Sequence, residues 1–486
     1  MCLVTDHGAV ADDGALDTEA VQAALDACHA RGGGTVWVPA GTFDIGTIYP
    51  RSHVRLHLDG GAVLKGSPRM EDYDPDHPHL LYAEGVEHAA LTGTGTVDGN
   101  GSAFWDDDFE PRERPWKWLV YENARHLTIR DVRLTNSPSH TLNLNYSQYV
   151  TVDGIDIENP PRSPNTDGIG VRGTTDVTIS NVTIRTGDDA IVLKAGRAPV
   201  ERVTITNALL ESDDAAFKLG TGSATVTRDI VFANSVVTNS RYGVALFMKG
   251  GGVYERIRVA DVRFEGGSRH RIEYPVYVDV ERLTPETPIG AVRDLVFADL
   301  DIRTTGKLLL AGHPESPLER VAFDDVRITV ADGEDFAGVR KPKGNKDHGY
   351  DDRGIDFAPI PAHVTLGHAR DVTFSDVTVR TDTTMHAATP QADRHALYAE
   401  AVTGLVLDGI AAQPSQADSD YAAIHLESGS DATIRLGRAL AGTGTFVRIA
   451  ESFTGPLVRF GNDVTKARVG FDVPDGVTQT ALAEDE

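Results

Sequence analysis

Two short groups of aspartates, Asp167 and Asp188–Asp189, each open an apolar run in "SPNTDGIGVRGTTDVTISNVTIRTGDDAIVLKAG", Ser163–Gly196. A third group, Asp213–Asp214, follows in "SDDAAFKL". Carboxylates repeated at the mouths of successive strands have three uses. They serve as plain surface charge in an acidic chain, with Asp167–Gly168 a simple turn former. They hold a hard cation, calcium above all. Or they crowd until their protonation splits, leaving one protonated acid and one ionised base, the pair that glycoside hydrolysis needs. The residue types alone leave all three open.

The elements that carry these groups repeat. "HLTIRDV", "YVTVDGI", "DVTISNV", "RVTITNA", "DIVFANS", "RIRVADV", "DLVFADL", "RVAFDDV", "DVTFSDV" and "GLVLDGI" are near copies. Their fourth residues are Ile129, Val152, Ile179, Ile205, Phe232, Val259, Phe297, Phe323, Phe374 and Leu407, and the first five steps are 23, 27, 26, 27 and 27 residues. Each copy alternates apolar and polar residues, the period of a strand with one buried face, then bends at Asp, Asn or Gly. One short strand per coil of this length predicts an all-β solenoid, a parallel β-helix. A propeller blade needs about 40 residues and four strands, so the period excludes it.

We expect a single β-helix domain over 1–486. Val21, Ala24, Leu25 and Cys28 predict an amphipathic helix over 17–32, with Asp17 as N-cap and Gly32 as C-terminal stop. Such a helix covers the open end of a solenoid core. Residues 333–362 break the period and read as a long polar loop containing Lys341, Lys343 and Lys346. Residues 476–486 read as a frayed tail. Cys2 and Cys28 supply no disulfide framework, and Cys28 falls on the apolar face of the helix.

Net charge is −26, with 72 acidic and 46 basic residues. Such a surface repels phosphates, which argues against nucleic acid as a partner. No apolar run approaches a membrane span. The chain as given lacks a basic and apolar leader, so the expected compartment is cytoplasmic, or extracellular if a signal has been removed. Nothing in the sequence sets an oligomeric state. The acidity has two sources open to it: a halophile's solvated surface or a genome that favours Arg and Asp. In the first case the melting temperature rises steeply from dilute buffer into molar salt, as screening relieves self-repulsion. A flat response selects the second.

Aligning the coils suggests which residues stack. His140, Asp167, Asp189, Asp214 and Tyr242 are each followed two residues later by Leu142, Ile169, Ile191, Ala216 and Val244. Equal offsets predict one lateral column with the aspartates facing solvent. Arg172, Lys194, Lys218 and Lys249 lie further along the same coils, placed to meet anionic sugar groups or to neutralise the column.

At this point the chain resembles glycoside hydrolase family 28, the polygalacturonases and their relatives. "GAVADDGALDTEAVQAALDACHARGGGTVWVPAGTF" is similar to the N-terminal segment of bacterial members, and "GTGTVDGNGSAFW" and "LTNSPSHTLNL" follow in the expected order. The specific signatures are Asn165-Thr166-Asp167 and Gly187-Asp188-Asp189. The resemblance implies a right-handed β-helix and hydrolysis with inversion of a pectin-type poly- or oligosaccharide. It implies Asp188 as general acid and Asp167 and Asp189 as the groups that deprotonate water, with no metal or organic cofactor.

Two motifs depart from the family. Its usual Gly-His-Gly reads Ser212-Asp213-Asp214-Ala215, and its Arg-Ile-Lys reads Phe247-Met248-Lys249. Asn165, His140, Asp213, Asp214, Lys218, Arg241, Tyr242 and Lys249 are the expected substrate-binding residues. We expect Arg241 to pair with Asp214, Asp213 to meet sugar hydroxyls, and Lys249 to hold a substrate carboxylate, with a neutral sugar preferred on one side of the cleaved bond. Trp105, Trp116 and Trp118 are either sugar platforms or loop packing. The rival readings are a calcium-dependent pectate-type lyase and a non-catalytic carbohydrate-binding solenoid.

Overall fold

A computed structural model describes residues 1–266, 272–330, 350–382, 394–415 and 420–481. The chain divides into two compact units, Met1–Lys218 and Leu219–Glu486. Each is a run of right-handed parallel β-helix, in which every strand pairs in parallel with its counterpart one coil later. Among the described residues, no helix is long and apolar enough to cross a membrane.

In the first unit the strands Arg125–Arg130, Gln148–Asp153, Thr175–Ser180 and Val200–Thr206 pair with Ile129, Val152, Ile179 and Ile205 in register. In the second, Phe232, Val259, Phe297, Phe323, Phe374 and Leu407 continue one another in the same way. All ten are buried. The rings of Phe297, Phe323 and Phe374 stack at 4.8 Å per step, the spacing of the strands themselves. An apolar ladder at constant register lets each coil bury its inward face on the next.

The bend two residues after each ladder position is left-handed in all ten coils, at Asp131, Gly154, Asn181, Asn207, Asn234, Asp261, Asp299, Asp325, Asp376 and Gly409. Asp, Asn and Gly tolerate that conformation best, which is why they recur there. Three residues before the ladder position lies a second left-handed corner, held in five coils by Asp176, Asp229, Asp294, Asp371 and Gly404 and in the others by bulkier residues that bear a steric penalty of about 1–2 kcal/mol each. These include His126, Tyr149, Arg202, Arg256 and Arg320. Stacking and ion pairs along the corner compensate: the rings of His88, His126 and Tyr149 stack at 4.6 and 4.9 Å. Arg202 clasps Asp176, and Arg320 clasps Asp294, each at 2.6 Å.

The N-terminal helix spans Thr18–Ala30 and buries Val21, Ala24, Leu25 and Cys28. Asp17 does not cap it with its side chain; its Oδ1 accepts the Val10 N–H at 2.9 Å instead. Gly32 ends it in the left-handed region. Cys2 and Cys28 are both free and buried.

Of the expected polar loop, 333–349, with its three lysines, lies outside the described residues. The described remainder is tied down rather than solvated. The buried Arg353 guanidinium pairs with Asp279 and Glu281, each at 2.7 Å, and Lys307 donates to the carbonyls of Phe357, Ala358 and Ile360. In the expected tail, Gln479–Ala481 forms a strand paired to Leu457–Phe460; 482–486 lie outside the described residues.

Candidate active site

The strands His140–Asn145, Ile169–Arg172 and Ile191–Lys194 lie side by side, with Leu142, Ile169 and Ile191 in register. Two residues upstream of each lie His140, Asp167 and Asp189, so these three stack as expected. Lys117 extends the stack, paired directly with His140. The next coil breaks the expected order. Thr186 pairs with Ser212, and the Ala190 N–H donates to the Ala215 carbonyl. That offset sets Asp214 across from Asp188, not Asp189. One residue of slip moves a side chain to the other face, so Asp214 sits beside the proposed acid.

The aspartates do not face open solvent. Asp167 and Asp189 are 4% and 3% exposed. Each of Asp167, Asp188 and Asp189 brings one carboxylate oxygen within 4.8 Å of the others. His140 Nδ1 lies 2.9 Å from Asp167 Oδ2. Lys218, itself 4% exposed, sends its ammonium 2.9 Å from Asp189 Oδ2 and 3.3 Å from Asp214 Oδ2. Lys218, expected to meet substrate, is thus enclosed among carboxylates.

This arrangement separates the protonation states. Burial would push the Asp167 carboxyl up, but His140 beside it, with Lys194 and Lys218 nearby, holds it at about 2. Burial pushes Asp188 up to about 7, helped by repulsion from Asp167 and Asp214. Burial also raises Asp189, against the attraction of Lys218. Asp188 and Asp189 therefore titrate as a coupled pair. The Lys218 ammonium lies against Asp189 rather than Asp188.

A shell of groups that the repeat pattern did not flag holds the trio. Buried Asn159 accepts the Ser137 N–H at 2.8 Å and donates to the hydroxyls of Thr141 and Thr186. The Thr166 hydroxyl accepts the Gly187 N–H at 3.1 Å. Gly187 is needed there, because a Cβ would lie 2.4 Å from the Ser163 carbonyl oxygen. Arg114 clamps the left-handed Asn165 through its Oδ1 at 2.9 Å and the Pro138 and Pro164 carbonyls. Asp213 Oδ2 accepts the Arg162 N–H at 2.5 Å, securing the same turn. Of this shell the motifs pointed to Asn165, Thr166, Gly187 and Asp213, whereas Arg114 and Asn159 lie far from them in sequence and carried no signal.

Of the tryptophans, Trp105 and Trp118 are buried. Trp116 is 53% exposed and meets His140 edge-on at 5.1 Å. In the second unit, Arg241 pairs with Glu273 at 3.2 Å, so Asp214 and Arg241 each have a partner within their own unit. Tyr242 is buried and stacks on Tyr274. Lys249 is buried 2.8 Å from Glu281 and 3.5 Å from Asp279, in the cluster that also takes Arg353. Its charge is already matched there.

The trio has the donors for a divalent cation, although the Lys218 ammonium already neutralises one side of it. His313, Glu315 and Asp352 form a second possible donor group. There Arg282 pairs with Glu315 at 2.7 Å and with Asp352 at 3.1 Å, doing a cation's work.

Residues 28–345 match the model for glycosyl hydrolases family 28. The chain belongs to this family. A "Probable polygalacturonase" of Vitis vinifera is 32% identical over 216 residues, 40% of this chain and 44% of the grape protein. An "Exopolygalacturonase" of Zea mays is 28% identical over 346 residues, 67% of this chain and 82% of the maize protein. The chain thus spans less than half the length of the grape relative. A solved structure, the hyperthermoactive exopolygalacturonase from Thermotoga maritima, shares the fold with a TM-score of 0.57 at 19% identity, over 78% of this chain and 91% of its own.

Proposed function

We propose that the protein hydrolyses glycosidic bonds in pectin-type polysaccharide or its oligomers, with Asp188 as general acid and Asp167 and Asp189 as the groups that orient and deprotonate water. The observation that carries this reading is three carboxyls with oxygens within 4.8 Å of one another, His140 on Asp167 and Lys218 on Asp189. Asp188 is raised to about 7 while Asp167 beside it is held at about 2. An acid poised near neutrality can give its proton to the leaving oxygen, and the neighbouring ionised carboxylate can take one from water.

Family membership favours inversion of the anomeric carbon. Carboxyls whose nearest oxygens lie within 4.8 Å of one another leave retention, which uses a separation of about 5–5.5 Å, as the rival. The two are separated by proton NMR of freshly released reducing ends. We expect the anomer opposite to the substrate linkage; the same anomer moves the protein to a covalent mechanism. A calcium-dependent lyase on the same carboxylates would leave an unsaturated product absorbing in the ultraviolet, which hydrolysis does not.

A further inference from the structure

We propose that His140 is a further catalytic residue: the base that takes the proton of the attacking water, with Asp167 orienting its ring. The proposal rests on the hydrolase reading above. It divides the work given there to Asp167, leaving it the orienting and passing the proton transfer to the imidazole.

The contact with Asp167 decides which ring nitrogen carries a proton. Nδ1 lies 2.9 Å from Asp167 Oδ2. An ionised carboxylate only accepts, so Nδ1 is the protonated nitrogen and, in the neutral ring, Nε2 is the acceptor. Among the described residues no hydrogen-bonding group meets Nε2, and the side chain keeps 10% of its surface open to solvent. A buried carboxylate that fixes the tautomer through Nδ1 and leaves Nε2 to meet a reacting O–H is the arrangement of an imidazole base.

The ring is held in that attitude from several sides. The Asn143 amide donates to the His140 carbonyl at 3.1 Å. The Thr141 N–H donates to the Asp167 carbonyl at 2.8 Å, which ties the two coils together beside the pair. Trp116 meets the imidazole edge-on at 5.1 Å. Arg114 lies over that indole at 5.8 Å and holds Asn165 Oδ1 at 2.9 Å. One guanidinium therefore braces both the ring and the turn that presents Asp167.

The carboxylates are worse placed for the same task. Against its burial, His140 with Lys194 and Lys218 nearby holds Asp167 at about 2, and so weak a base takes a proton from water poorly. Asp189 has the Lys218 ammonium 2.9 Å away. Imidazole is the side chain most often used for such a transfer. Separation also favours it. His140 stands two coils from Asp189, roughly 9–10 Å at the strand spacing, and Asp188 directly precedes Asp189. An inverting acid and base stand about 6.5–9.5 Å apart to admit a water.

In the step, the water O–H bond breaks toward Nε2 as the water oxygen bonds to the anomeric carbon. The glycosidic C–O bond breaks, and its oxygen takes the Asp188 proton. An imidazolium and the Asp188 carboxylate are left. A proton passed from the first to the second through solvent restores both.

The full chain is first assayed on trigalacturonate and on rhamnogalacturonan oligomers, and the substrate it cleaves is used. His140→Asn puts an amide N–H where Nδ1 stood, so Asp167 keeps its donor and only Nε2 is lost. We expect kcat to fall by about 10²-fold or more, with KM close to the parent's and the melting temperature little changed. In His140→Gly, added imidazole should restore turnover severalfold, more strongly for more basic imidazoles, and should still do so when Asp167→Asn is added. Near-parental turnover by His140→Asn, no rescue by imidazole, or a rescue that Asp167→Asn abolishes each overturns the role and returns the proton transfer to a carboxylate. If the parent cleaves neither substrate, the hydrolase reading falls and this role with it. Cleavage by the parent confines any failure to His140.

Discussion

Asp188→Asn is expected to lower turnover by about 10²-fold or more, the scale of a lost general acid, and at the same time to raise the melting temperature above pH 7. The two effects share one cause. The Asp188 carboxyl is raised to about 7 by burial and by the charges of Asp167 and Asp214, against about 3.9 in an unfolded chain. A folded value above the unfolded one means stability that is complete below about pH 4 and lost as pH climbs through about 7. At pH 8 the parent protein carries an ionised, crowded carboxylate that asparagine does not. Asparagine keeps the oxygen that accepts the Asp189 N–H at 2.8 Å. Activity of the parent protein should likewise fall as pH rises through about 7, where the acid loses its proton. Melting curves at pH 5 and pH 8, with initial rates at both, check the prediction. Near-parental turnover removes Asp188 from the acid role. Identical melting at pH 8 contradicts the crowding.

Lys218→Met should be the most destabilising single change at the site. The ammonium lies 2.9 Å from Asp189 and 3.3 Å from Asp214, with Asp188 also acting on it. Removing one partner from a buried ion pair costs about 3–5 kcal/mol, because the other charge stays behind without compensation. Here more than one carboxylate is left. The cost should shrink at pH 5, where Asp188 and Asp189 can share protons, and grow toward pH 8 as they ionise. Urea unfolding at the two pH values measures it. A loss under about 1 kcal/mol at pH 8 would mean that the lysine is a surface cation waiting for substrate, the role its sequence position first suggested.

The repeat, the ladder residues and the bends that follow them could be read along the chain, because they follow local rules. Alternation sets which residues of a strand face inward, and the left-handed bend selects Asp, Asn or Gly. Each coil states this independently, so ten copies made the β-helix legible. Asp167, Asp188 and Asp189 were legible for the same reason, since each stands at the mouth of such a strand.

Only the tertiary structure decided how the coils meet between the ladders. Turn lengths vary: Ile169 pairs with Ile191, 22 residues on, whereas Thr186 pairs with Ser212, 26 on. A change of one residue in such a turn moved Asp214 from Asp189 to Asp188, and no local pattern encodes it. The second left-handed corner was obscured because Asp or Gly marks it in only half of the coils, while His126, Tyr149 and Arg202 hold it by stacking and pairing with other coils. Pairing of charges is equally non-local. Lys218 and Lys194 read alike along the chain, yet one is in ion-pair contact with two carboxylates and the other pairs in register with Arg172, with Asp167 acting on it at longer range. Coulomb energy depends on where side chains end up and on the water they lose in getting there, and the fold sets both.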